Sequence, residues 1–288
     1  MWILCAFGSA LFAGLTSILA KIGMTRTDSN LATALRTGVV VAFAWLIVLV
    51  EGSHHAIGAV GGKSWLFLVL SGLATGASWL CYFKALQCGN VNVVVPVDKS
   101  STILAMLLAY FLLGEPLSPL KWLCIALIAI GTWAMIRRDK DAPPSQAAVR
   151  SVIYAGLSAL FAAVTSIFGK IGITDIPANL GTAIRTVVVL VMAWLVVLAT
   201  GKLGEVRSID RRSWLYLALS GVATGLSWLF FFQALQDGPA SVVVPIDKLS
   251  IVLSVAFAFF VFKEKLTAKS FLGLVLLVAG TLLLLLEV

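Results

Sequence analysis

Ser9-Ala-Leu-Phe-Ala13 returns as Ser158-Ala-Leu-Phe-Ala162, 149 residues further along the chain. The same offset carries Lys21 to Lys170, Arg36 to Arg185, Trp45 to Trp194 and Trp79 to Trp228. It also places Pro96-Val-Asp-Lys99 on Pro245-Ile-Asp-Lys248, and Glu115 on Glu264. The offset never slips from residue 9 to residue 137, so the chain is a tandem duplication. It divides into a first repeat (1–137), a polar, proline-containing linker (138–150) and a second repeat (151–288).

Of the 288 residues, 60% are hydrophobic and 12% charged, with a mean hydropathy of +1.05. Soluble domains carry about twice that charged fraction. The composition therefore excludes a water-soluble enzyme, a disordered chain and a soluble nucleic-acid binder. The net charge of +8 does not point to nucleic acid, because the basic residues border apolar runs, where they act as topology signals.

Hydropathy divides each repeat into five apolar runs. They fall near 2–23, 31–50, 65–86, 93–113 and 119–136, then near 151–173, 180–199, 214–235, 242–262 and 268–286. Each is about long enough to cross a bilayer as a helix. The fold class is thus an all-α membrane protein of ten transmembrane helices. The first run has no basic leader or small-residue cleavage site and reads as a retained span.

Five spans per repeat is an odd number, so the second copy starts on the opposite side of the membrane. That is the inverted-repeat architecture of secondary transporters. The basic residues test this independently. One set of alternating loops holds Arg26, Arg137, Arg138, Lys140, Arg150, Lys202, Arg207, Arg211, Arg212, Lys263, Lys265 and Lys269; the other holds Lys63 and Lys121. The positive-inside rule puts the first set in the cytoplasm and both termini outside. Equivalent loops have diverged accordingly: Lys263-Glu-Lys265 faces Gly114-Glu-Pro116.

No motif for catalysis or metal binding is present. The four cysteines lie in the first repeat at no ligand spacing, and His54 and His55 are adjacent in a polar loop. No cofactor and no metal site are expected, and the chain does not read as an enzyme.

The paired units, each with Pro-(Val/Ile)-Asp-Lys in its fourth run and a Glu where that run ends, resemble EamA-type domains. Tandem EamA domains define ten-span transporters of the drug/metabolite transporter superfamily. The resemblance covers the whole chain and implies transport without fixing a substrate. It also implies cytoplasmic termini, against the charge distribution.

Ionisable residues inside spans mark candidate sites, since each costs about 2.5 kcal/mol or more at the bilayer centre unless paired or hydrated. They are Lys21, Arg36, Lys84, Asp98, Lys99, Lys170, Arg185, Asp247 and Lys248, with Gln233 in place of Lys84 in the second repeat. Lys21 and Lys170 close their spans and also read as snorkelling to the interface. Arg36 and Arg185 read either as substrate ligands or as structural partners of Asp98 and Asp247. Adjacent side chains on a helix diverge, so Asp98 and Lys99, like Asp247 and Lys248, are each expected to find another partner. Pro96 and Pro245 are expected in the first turns of their helices.

Trp79 with Tyr82, and Trp228 with Phe231, suggest that the third and eighth spans wall a cavity beside Lys84 and Gln233; aromatic packing competes with that reading. Gly72-x-x-x-Gly76 and Gly221-x-x-x-Gly225 read as close-contact seams, and Thr16-Ser17 and Thr165-Ser166 as packing residues. Glu115 and Glu264 read as interfacial caps.

The expected substrate-binding residues are Arg36, Arg185, Trp79, Trp228, Tyr82, Lys84 and Gln233. The expected coupling residues are Asp98, Lys99, Asp247 and Lys248. The reading is a monomeric secondary active transporter of the inner or plasma membrane. It moves a small anionic or zwitterionic, amino-acid-like metabolite by alternating access, with protons as a candidate coupling ion and lipid as its surroundings. A proton-coupled multidrug or organic-cation exporter, and a lipid-head-group flippase, remain open alternatives.

Overall fold

A computed structural model describes residues 1–24, 27–88, 94, 97–135, 146–262 and 267–287. Pro96, Glu264, Arg26, Arg137, Arg138, Lys140, Lys263, Lys265 and linker residues 138–145 lie outside these, as does the Lys21 side chain.

The first repeat contributes α1 (Trp2–Gly23), α2 (Ser29–Val50), α3 (Gly62–Cys88), α4 (Ser101–Leu113) and α5 (Pro119–Met135). The second contributes α6 (Gln146–Gly172), α7 (Ala178–Ala199), α8 (Arg211–Asp237), α9 (Ala240–Asp247), α10 (Ser250–Phe262) and α11 (Ala268–Leu283). Bounds of α2, α3 and α4 reappear 149 residues later in α7, α8 and α10. Polar residues set several starts. Asp28 accepts from the amides of Asn30 and Leu31 at 2.9 and 3.2 Å, and Asp210 from Ser213 N at 3.2 Å. Gly52, Gly114 and Gly201 follow helix ends at φ near +70°, a conformation glycine adopts without steric cost.

Among the described residues, eight helical segments are long and apolar enough to cross a membrane, Ala240–Phe257 across the α9–α10 turn being one of them, and Pro119–Met135 is a shorter apolar helix. Two boundaries differ from expectation. Helix α6 begins at Gln146, absorbing the last residues of the expected linker. The fourth span of the second repeat is broken rather than continuous. Helix α9 ends at Asp247, and α10 starts at Ser250. Pro245 sits inside α9, not in its first turn, and has no N–H to offer the carbonyl one turn back. The chain then tightens: Lys248 N donates to Pro245 O at 3.1 Å and Leu249 N to Ile246 O at 2.9 Å, a three-residue spacing.

The most extensive helix contacts cross between repeats: α1 packs on α8, α3 on α6, α2 on α7 and α5 on α11. Exchanging the repeats turns the first of these pairings into the second and leaves the other two unchanged. The halves therefore interlock rather than stand side by side. Glycine seams permit the closest approaches. A Cβ on Gly72 would lie 3.0 Å from Arg185 O and 2.7 Å from Val188 Cβ; one on Gly221 would lie 2.9 Å from Arg36 O and 2.6 Å from Val39 Cβ. Each seam presses α3 or α8 onto the turn that carries an arginine.

Gly72→Ala and Gly221→Ala should each destabilise the purified protein by about 1–3 kcal/mol through overpacking. Gly38→Ala, in a helix with nothing within 4 Å of the added Cβ, should be neutral or stabilising. Denaturant titrations of the three variants compare them, and equal stabilities would contradict the seam.

Candidate functional site

Arg185 is 1% exposed. From α7 its Nε donates to Ser71 Oγ at 3.2 Å and its Nη2 to Thr75 Oγ1 at 2.8 Å. Both hydroxyl protons are committed elsewhere: Ser71 donates to Thr165 O at 2.8 Å and Thr75 to Ser71 O at 2.9 Å. Their lone pairs are thereby left for the guanidinium. Its Cζ lies 4.8 Å from the ring centre of Trp228 and 4.5 Å from that of Phe232, within cation–π range. The remaining nitrogen, Nη1, is buried with no hydrogen-bond partner.

Arg36 repeats this arrangement more loosely. Nη2 donates to Thr224 Oγ1 at 3.0 Å, and Thr224 in turn donates to Ser220 O at 2.7 Å. Ser220, the counterpart of Ser71, donates to Thr16 O at 3.3 Å, while Arg36 Nε is buried without a partner. The expected structural pairs of Arg36 and Arg185 with Asp98 and Asp247 are not formed. Neutral hydroxyls take the place of carboxylates.

Each arginine borders a cavity. That of Arg185 measures about 210 Å³ and is also lined by Thr75, Ser78, Thr165, Ser227, Asp247 and Lys248. That of Arg36 measures about 240 Å³ and is also lined by Thr33, Thr37, Tyr82 and Thr224. Trp79 and Trp228 line both. Lys84 is exposed and Gln233 Nε2 donates to Asp237 at 3.1 Å; neither is among the residues lining these two cavities.

The Asp-Lys elements pair differently from expectation. Lys248 Nζ lies 3.5 Å from Asp247 Oδ2, its own neighbour, because the tight turn between α9 and α10 replaces the regular helix that would hold the two side chains apart. Lys99 lies within electrostatic reach of Lys248, Asp98 and Asp247, so the four charges gather where the fourth spans meet. Each acid is also held by the first helix of the other repeat. Ser9 Oγ donates to Asp247 at 2.5 Å, and Ser158 Oγ to Asp98 at 2.6 Å. Ser227 and Ser78 complete the pair, donating to Ser9 O at 3.1 Å and Ser158 O at 3.0 Å. These serines, with Ser71, Thr75 and Thr224, were not singled out in the sequence. Their signal there is identity at the repeat offset.

Lys170 does not reach for an interface. Its Nζ donates to Glu115 Oε1 at 3.1 Å and to Gly238 O at 2.6 Å. Glu115 also accepts from the amides of Ala240 and Ser241 at 2.7 and 2.8 Å, so it caps α9 of the other repeat. Burial disfavours the charge of Glu115, but the hydrogen bonds from Ser241 and the charge of Lys170 outweigh it. The carboxyl therefore titrates below the ordinary carboxylate range. Among the described residues, no three His, Cys, Asp or Glu side chains converge.

The sequence pattern of the EamA-like transporter family matches residues 1–137 and 149–286. The chain belongs to that family. This EamA-like transporter is 47% identical over 130 residues to an uncharacterized transporter in the cobO 3' region of Sinorhizobium sp., covering 45% of this chain and 92% of that one. It is 26% identical over 221 residues to an uncharacterized transporter of Bacillus subtilis, covering 74% and 68% of the two chains. It is also 39% identical over 75 residues to a probable 4-amino-4-deoxy-L-arabinose-phosphoundecaprenol flippase subunit of Pseudomonas fluorescens, covering 26% and 63%. A solved crystal structure shares its fold with a TM-score of 0.80 at 19% identity, covering 99% of this chain and 96% of the other. The protein is a multi-pass membrane transporter.

Glu115→Gln should destabilise the folded transporter by about 1–3 kcal/mol, since hydrogen bonds to a charged group are lost. Because the folded carboxyl titrates low, its contribution is present above the ordinary carboxylate range and is lost as pH falls through the depressed value. Melting curves across acidic pH should therefore converge for wild type and variant at the acid end. A constant gap between them would contradict the clasp.

Proposed function

We propose that this transporter spans the membrane ten times, as two five-helix repeats of opposite orientation. On this reading it moves a small anionic or zwitterionic metabolite across the inner or plasma membrane by alternating access. The eight long helices, Pro119–Met135 and the fourth span of the first repeat make up the ten. The odd span count, the exchange-symmetric helix pairings and the basic loops support the inversion. A broken helix at a buried charged site is the feature such transporters use to expose backbone to substrate and ions.

One observation carries the substrate reading. Arg185 Nη1 is a buried donor without a partner, on a group that stays charged at any physiological pH, at the wall of a cavity. An anion satisfies it; an organic cation is repelled by it. Asp98 and Asp247 are proposed as the switch, because each is tied to the first helix of the opposite repeat, and rocking of the repeats would strain both ties.

A lipid-head-group flippase is the second reading, supported by the likeness to the flippase subunits.

Reconstituted in liposomes, Arg185→Gln should fold and lower anion uptake about tenfold or more, as expected for a lost charge-assisted hydrogen bond. Wild-type uptake would remove Arg185 from the site. A reporter enzyme that is active only in the cytoplasm, fused after Val288, should stay silent. Activity there would reverse the assigned orientation.

A further inference from the structure

The charges of the site divide into two groups of different character. Lys248 lies 3.5 Å from Asp247, and Lys99 is within electrostatic reach of Asp98, Asp247 and Lys248, so the two acids and two lysines sum to no net charge. Arg36 and Arg185 stand outside that balance. Their side-chain hydrogen bonds go to hydroxyls, and neither forms an ion pair with a carboxylate among the described residues, while Asp247 and Lys248 also line the Arg185 cavity. Each has one buried guanidinium nitrogen without a hydrogen-bond partner, and each side chain lines its own cavity. Trp79 and Trp228 line both cavities, so the two arginine sites share an aromatic boundary.

We propose that the substrate is held through two anionic groups at once, one on Arg36 and one on Arg185, with Trp79 and Trp228 covering the segment between them. This rests on the preceding reading that the site takes an anion, and it narrows that anion to a compound with two. A single carboxylate would satisfy one guanidinium and leave the other uncompensated in the same low-dielectric interior, where an open charge is costly. A second anionic group removes that cost. The two ends are also unequal. Arg185 is fixed by two hydroxyls and two aromatic rings, whereas Arg36 is held by one hydroxyl. Arg185 is the rigid anchor, and Arg36 adapts to the length of the ligand.

The test is a binding series on the purified full chain, read by thermal stabilisation and by competition. The probes are acetate, glycine, choline and the unbranched dicarboxylates from malonate to adipate. At least one dicarboxylate should bind about tenfold or more tighter than acetate or glycine, the value of one further charge-assisted pair. Arg36→Gln and Arg185→Gln should each bring that dicarboxylate down to the level of acetate while acetate still binds. Should a Gln variant not fold, Arg36→Lys and Arg185→Lys keep the charge. They should weaken the dicarboxylate and still leave it ahead of acetate. Equal binding of acetate, glycine and every dicarboxylate would overturn the two-anion site and leave the anion reading standing. Preference for choline, or no carboxylate binding at all, would overturn both.

Discussion

A guanidinium cannot shed its proton inside a protein, so burying one commits the fold to supporting a full charge. The chain does this at Arg185 and in part at Arg36, which is half-buried, and in neither case supplies a carboxylate partner among the described residues. Support comes instead from weaker sources: oriented hydroxyls, aromatic faces and close helix seams. Ser71 and Thr75 turn their lone pairs to Arg185 because their protons are engaged by backbone carbonyls. The glycines at 72 and 221 permit that proximity by letting α3 and α8 lie against the arginine-bearing turns. Neutral support leaves the charge available. An ion pair would have spent it within the fold.

The acids are used elsewhere. Proline at 245 breaks the fourth span of the second repeat, and the tight turn that follows brings Lys248 back to Asp247. Asp247 and Asp98 are then tied by Ser9 and Ser158 to first helices from the opposite repeat. Glu115 does the same at the start of α9, capping a helix of the opposite repeat. The ties of Ser9 to Asp247, Ser158 to Asp98 and Glu115 to α9 cross between the halves, as the most extensive helix contacts do. Movement of one repeat against the other would therefore act on the acids first, and on the arginines through the hydroxyls that hold them.

Much of this was legible in the sequence. The constant offset gave the duplication, hydropathy the apolar helices, and the glycine pairs at 72/76 and 221/225 the seams that the structure contains. The paired acids and bases were visible, but their partners were not, because pairing was argued from a regular helix and the chain is irregular at that point. Lys84 and Gln233 are near aromatic residues in sequence. Five positions past Trp79 or Trp228 a helix has turned about 140° from them, so both point away from the cavities that Trp79 and Trp228 line. Tyr82, three positions on, is about 60° away and lines the Arg36 cavity. The serines gave the least signal, since small hydroxyl residues in apolar helices read first as packing. Their role follows from which backbone carbonyls take their protons, which only coordinates show.

The central claim is that a buried arginine, Arg185, and a half-buried one, Arg36, are held by neutral groups so that an anion completes them. Crystals soaked in iodide test it most directly, because the ion is a heavy anion with its own anomalous signal. The account predicts anomalous peaks within hydrogen-bonding reach of Arg185 Nη1 and of the Arg36 guanidinium, inside the two cavities. Iodide bound on the surface with neither cavity occupied would contradict it.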